Sequence, residues 1–187
     1  HATTTSYPGI MHDHPDVVKG RAGSPYAIKD YYDVDPDLAD DPEERREEFG
    51  QLVERTHASG LGVIIDFVPN HLARQYQSDC SPQLEEDFGE RDDRDMRFRR
   101  DNNFYYLTDQ MLVIGSDYGP EPSAYSEYPA RATGNDVFHA HPSRDDWYDT
   151  VKLNYGVDPD TGVGHFDEPV PDTWDKMYHI LYYWAMQ

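Results

Sequence analysis

The chain has 187 residues and a formal charge of −21, from 37 acidic against 16 basic side chains. A surface of that sign repels phosphate, which argues against nucleic acid or an anionic membrane as a partner. Leu, Ile, Val and Phe number 34, low enough to raise the question of disorder, but 15 Tyr and 3 Trp are more aromatic residues than disordered chains carry. The expectation is a folded, weakly apolar protein, its acidity in keeping with a surface adapted to high salt. The single cysteine, Cys80, permits no internal disulfide. No apolar run is long enough to span a membrane, and no signal peptide is recognisable. The chain starts at His1 without Met, and the expectation is that it begins partway through a longer protein.

Residues 1–25 mix Pro, Gly, Ser and Thr with little periodicity and read as loop. His12 and His14 form an His-x-His pair, but no third ligand is near in sequence, so a solvated loop is favoured over a metal site. Tyr26 to Val34, YAIKDYYDV, predicts a strand closed by the turn residues Asp35 and Pro36. Asp41 as N-cap, Pro42 at the first helical position and the acids Glu43 and Glu44 predict a helix over 41–59. Phe49, Leu52, Val53 and Thr56 fall on one face of it, and Gly60 sits where a left-handed C-terminal residue belongs.

Gly62 to His71, GVIIDFVPNH, is the most informative stretch. Its β-branched run has the composition of a strand buried on both faces, as in a parallel sheet. A carboxylate (Asp66), an amide (Asn70) and an imidazole (His71) crowd its end, and α/β sheets and barrels bind ligands at the carboxyl ends of their strands. Strand, helix and strand make a βαβ unit with an expected right-handed crossover.

After His71 the pattern dissolves. Residues 79–103 are a dense mixture of Asp, Glu and Arg, read as solvated surface. Phe104–Leu107, Met111–Ile114, Val137–His139 and Thr150–Leu153 are short strand candidates between turns. A second His-x-His, His139 and His141, lacks partners, while Asp145, Asp146, Trp147, Asp149 and Asn154 suit either a sugar-facing surface or internal packing. From Pro171 a helix is predicted, with Trp174, Met177, Tyr178, Leu181, Trp184 and Ala185 on its apolar face. In a β/α alternation a strand is owed after it.

Three stretches resemble glycoside hydrolase family 13, the α-amylase family. GSPYAIKDYYDVDP at Gly23–Pro36 is similar to the family's second barrel strand and the loop before it. EEFGQLVERTHASGLGVIIDFVPNH at Glu47–His71 resembles its second helix, its third strand and the motif Asp-x-x-x-Asn-His; TVKLNYG at Thr150–Gly156 resembles a segment late in domain B. The resemblance implies an α/β fold: part of a (β/α)8 TIM barrel (strands 2 and 3, helices 2 and 3), with an irregular β-rich domain B inserted after strand 3. The expected partition is 1–71 barrel segment, 72–170 domain B-like insertion and 171–187 barrel helix 3. Such an insertion accounts for a segment that is otherwise too long for a loop.

The resemblance also implies roles. His71 and Tyr26 would bind the sugar being cleaved, by hydrogen bonding and by stacking, which an imidazole and an aromatic face can both do. Asn70 would give an oxygen to a calcium ion between barrel and domain B, as suits that hard cation, and Asp66 would hold the strand end in place. No organic cofactor is implied; the partner is an α-glucan or maltooligosaccharide. A retaining glycosidase needs a carboxylate nucleophile and a carboxylic acid/base. In this family they follow strands 4 and 5, the nucleophile in Gly-x-Arg-x-Asp, and a further aspartate follows strand 7. None of the three is expected in this chain, so the expectation is an inactive part of an α-amylase-type hydrolase. The alternative is a non-catalytic carbohydrate-binding or structural offshoot.

Overall fold

Local sequence signals place the two helices well and their capping less well. The computed structural model describes residues 1–20, 22–82, 86–115 and 123–187; part of the acidic run, 83–85, therefore lies outside the described residues. Helix α1 spans Arg45–Ala58. It starts later than its cap residues predict, because Asp41 closes a separate turn first: its carboxylate accepts from the Glu43 amide and its carbonyl from that of Glu44. Glu48 then reaches back to the amides of Asp40 and Asp41. The predicted end is present. Gly60 is left-handed (φ +76°), and the amides of Gly60 and Leu61 return to the carbonyls of His57 and Thr56, the two reversed bonds of a Schellman terminus.

Helix α2 covers Asp172–Ala185. Its inward side carries Thr173, Lys176, Met177 and Ile180, so the predicted face is rotated: Trp174, Tyr178 and Leu181 are exposed. Met177 is buried as expected, and Trp184 donates from Nε1 to the Tyr31 carbonyl at 2.6 Å. Phe49 of α1 meets the Trp184 ring edge-on at 5.7 Å, which joins the helices.

The sheets are small and antiparallel. Strand β1 (His71–Ala73) pairs with β4 (Thr150–Lys152), with His71 opposite Lys152 and Leu72 opposite Val151; β2 (Tyr106–Leu107) pairs with β3 (Ala130–Arg131). The candidates at Phe104–Leu107 and Thr150–Leu153 hold in part, over Tyr106–Leu107 and Thr150–Lys152; those at Met111–Ile114 and Val137–His139 form no strand, and β3 was not predicted.

Two larger expectations are corrected. Neither Tyr26–Val34 nor Gly62–Val68 is a strand, so no parallel βαβ unit forms among the described residues. A strand exists by pairing. Among the described residues, Ile28 and Lys29 give their carbonyls to the amides of Ala73 and Gln77, which form no ladder, and the 62–68 run has no ladder partner. Its side chains are accordingly not buried on both faces; Ile64 is 96% exposed.

The principal core gathers Tyr31, Tyr32, Leu72, Phe88, Phe104, Tyr106, Val151, Leu153, Met177 and Ile180. It thus draws on the chain before His71, the long middle segment and α2 together. Beside it lies a buried ionic network. Arg74 donates to Glu127 at 2.7 Å and to the carbonyls of Tyr148 and Thr150 at 2.6 and 2.9 Å. Arg131 donates to the other Glu127 oxygen at 2.7 Å and to the Arg74 carbonyl at 2.7 Å. Burial opposes ionisation of Glu127, but the guanidinium groups of Arg131 and Arg74 outweigh it and hold the carboxyl down to about 2. No helix among the described residues is long and apolar enough to cross a membrane.

Candidate functional site

His71 opens β1, and its neighbours fix it from both sides. The Asn70 side-chain amide donates to the Gly134 carbonyl at 2.8 Å and lies 2.9 Å from His71 Nδ1. Since that amide nitrogen can only donate, Nδ1 accepts and the ring proton sits on Nε2. Gly134 is needed for this approach: a Cβ there would stand 2.8 Å from the His71 side chain and 2.5 Å from Thr150 Oγ1. Burial lowers the His71 pKa; a hydrogen bond with the Tyr26 backbone and the charge of Asp149 oppose that shift, while Lys152 adds to it. The lowered pKa favours the neutral ring, with its proton on Nε2.

A cleft of about 500 Å³ opens beside it. Tyr26, Asp66 and His71 all line it, as do Lys19, Phe67, Trp147 and Asp149. Three residues chosen for sugar contact or strand-end support thus share one hollow, although the strands expected to carry them are absent. Tyr26 is 54% exposed, with its ring available. Trp147 stands with its ring centroid 5.1 Å from that of His71, tilted by 59°. A second cleft of about 450 Å³ lies among Asp87, Arg94, Tyr106 and Tyr125; none of the expected site residues reaches it.

Asp66 does not do what was expected of it. It is exposed and makes no hydrogen bond among the described residues. The segment end is tied instead by Tyr31, whose single hydroxyl proton is shared between the carbonyls of Val68 and His71 at 2.6 and 3.1 Å. A buried phenol reaching two carbonyls does this better than a carboxylate, which could only accept.

The surroundings of Asn70 do not fit a calcium ion. Its Oδ1 accepts from Lys152 Nζ at 2.7 Å, and Lys152 also pairs with Asp136 at 3.0 Å. An ammonium thus stands against the oxygen offered to the metal, where hard-cation sites gather several anionic or neutral oxygens. Among the described residues, the two groupings of potential metal donors are His1, Asp35 and Asp37, and Asp30, Asp33 and Cys80; neither includes Asn70. The first contains a His1–Asp35 ion pair, and in the second Asp33 is engaged by Arg45. The histidine pairs also serve locally: His14 Nδ1 accepts from the Asp16 amide and His139 Nδ1 from that of His141.

A Gly-x-Arg-x-Asp string does occur once, at Gly89–Asp93, and corrects the expectation that the chain offers none. It lies in a turn rather than on a strand. Asp92 accepts from the amides of Asn103 and Phe104 and from the Tyr106 hydroxyl, and exposed Arg91 pairs with Glu86. None of these five residues lines the cleft with His71. The string is a structural turn.

Lys19 is a lining residue that the sequence did not single out, whereas Trp147 and Asp149 were named only within a stretch that suited either a sugar-facing surface or internal packing. The mixture of aromatics and carboxylates around 145–154 was a signal, but only the pairing of β4 with β1 carries that segment to His71.

Residues 12–132 match the family model described as alpha amylase, catalytic domain. No curated protein and no solved structure matches the chain. The matched residues include Tyr26, Asp66, Asn70 and His71, and the chain belongs to the α-amylase catalytic-domain family, a family of glycoside hydrolases built on the TIM barrel.

Proposed function

We propose that this chain forms one wall of the substrate cleft of an α-amylase-type hydrolase, which cleaves α-glucosidic bonds with retention of configuration. The observation that carries the reading is the convergence of Tyr26, Asp66 and His71 on one cleft. Tyr26 stacks on a glucose ring, and the His71 imidazole binds the same sugar. Residues 1–71 and 171–187 belong to the barrel, and 72–170 to an insertion corresponding to domain B. The nucleophile and acid/base come from other segments of the enzyme, because the one nucleophile-like string in this chain is engaged elsewhere.

Two measurements test this. The purified 187-residue chain should not hydrolyse starch; saturable hydrolysis would show that the catalytic pair is already here. In the natural protein that carries this chain, His71→Ala should lower turnover far more than it lowers the unfolding midpoint. Equal turnover would remove His71 from the site. A natural protein that binds maltooligosaccharide and never cleaves it would instead be a carbohydrate-binding offshoot of the family.

A further inference from the structure

We propose that Trp147 and Asp149 form a sugar-binding subsite in the same cleft, beside His71, with Trp147 as platform and Asp149 as hydroxyl acceptor. The proposal rests on the α-glucan reading above and extends it to residues of the middle segment.

Trp147 is partly exposed (42%) yet fixed. Its amide donates to Asn135 Oδ1 at 3.2 Å, and its carbonyl accepts from both the amide and the hydroxyl of Thr150 at 2.9 and 2.8 Å. An indole held open to solvent beside an imidazole has an apolar face to offer, and the apolar face of a pyranose is its natural complement.

Asp149 provides the polar half. It is only 2% exposed, on the cleft wall. Its backbone is anchored by the Arg74 amide, which donates to its carbonyl at 2.9 Å. Its side chain is much less well served. Oδ1 lies 3.6 Å from Lys19 Nζ, beyond hydrogen-bond range. Oδ2 is buried and accepts no hydrogen bond. Among the described residues just one other buried side-chain atom, Arg97 Nε, shares that condition, and it is not on this cleft.

Buried carboxylate oxygens are rarely left unpartnered, since the lost solvation is not repaid. The missing partner is a donor, and Asp149 lines a hollow whose other walls include Tyr26, His71 and Trp147. A sugar hydroxyl meets all of these at once: it donates to Asp149 while its ring rests on an aromatic face. Lys19 is held by the Asp146 carbonyl at 3.1 Å and stands over the Tyr148 ring at 5.3 Å. From there it offsets the charge of Asp149 without occupying its acceptor sites.

The test is the affinity of the natural protein carrying this chain for a thio-linked maltooligosaccharide, which resists hydrolysis, measured by calorimetry. Asp149→Asn should weaken binding roughly ten- to hundredfold, the worth of a hydrogen bond to a charged group. Its unfolding midpoint should stay within a few degrees of the wild type. Trp147→Leu, altering an exposed ring, should also weaken binding and carries the test if Asp149→Asn does not fold. If His71→Ala weakens binding while neither Asp149→Asn nor Trp147→Leu does, the subsite is refuted and the α-glucan reading stands. If the folded wild type binds no maltooligosaccharide, both fail together.

Discussion

Replacing Glu127 with Gln probes the buried network that anchors the middle segment. The carboxylate accepts from Arg74 and Arg131 at 2.7 Å each, from the Arg131 amide at 2.8 Å and from the Tyr125 hydroxyl at 3.0 Å. Glutamine retains the shape but removes the charge facing two guanidinium groups, of which that of Arg74 is fully buried. Lowering the carboxyl from its ordinary 4.5 to about 2 corresponds to about 3 kcal/mol of stability at neutral pH, in line with the ~3–5 kcal/mol for breaking one side of a buried ion pair. Because the folded-state pKa is the lower one, this contribution is complete well above pH 4.5 and is lost as pH falls towards 2. By pH 3 roughly 2 of the 3 kcal/mol is gone. Urea unfolding should therefore show Glu127→Gln about 3 kcal/mol less stable at pH 7, with the gap closing to about 1 kcal/mol at pH 3. A gap below about 1 kcal/mol at pH 7, or one of equal size at both pH values, would refute the ionic account.

Three further predictions concern residues around His71. In the 187-residue chain Ile64→Lys should leave the unfolding free energy within about 0.5 kcal/mol, as for surface substitutions, because Ile64 is almost wholly exposed. It should also reduce light scattering by removing an exposed apolar side chain. A loss of several kcal/mol would mean that the run is buried as a strand after all. Chelation by EDTA, or added millimolar calcium, should not move the thermal midpoint through Asn70, since Lys152 holds its oxygen. Lys152→Met should cost about 1 kcal/mol for a partly exposed hydrogen bond and ion pair. A calcium-dependent rise in the wild-type midpoint that Asn70→Ala abolishes would restore the metal site.

How much of this was legible beforehand depended on the range of the interaction. Helices α1 and α2 rest on contacts within a few residues, so their positions and the left-handed Gly60 could be read directly. Which side of α2 turns inward could not be, because Trp174 and Ile180 both carry apolar side chains and only the surrounding core distinguishes them. The two predicted strands failed for the same reason: a β-branched run states a preference, and the ladder partner decides whether it is met.

The sequence by itself determined the family, through Tyr26, the Asp66-x-x-x-Asn70-His71 motif and their spacing. It also determined which side chains were worth watching. Only the tertiary structure decided what they do. Pairing β1 with β4 carries Trp147 and Asp149 to His71 across a separation of over seventy residues and sets Lys152 against Asn70. The organising role expected of Asp66 passes to Tyr31. A motif fixes the order of groups along the backbone, whereas partners and burial depend on contacts that the folded chain alone brings together.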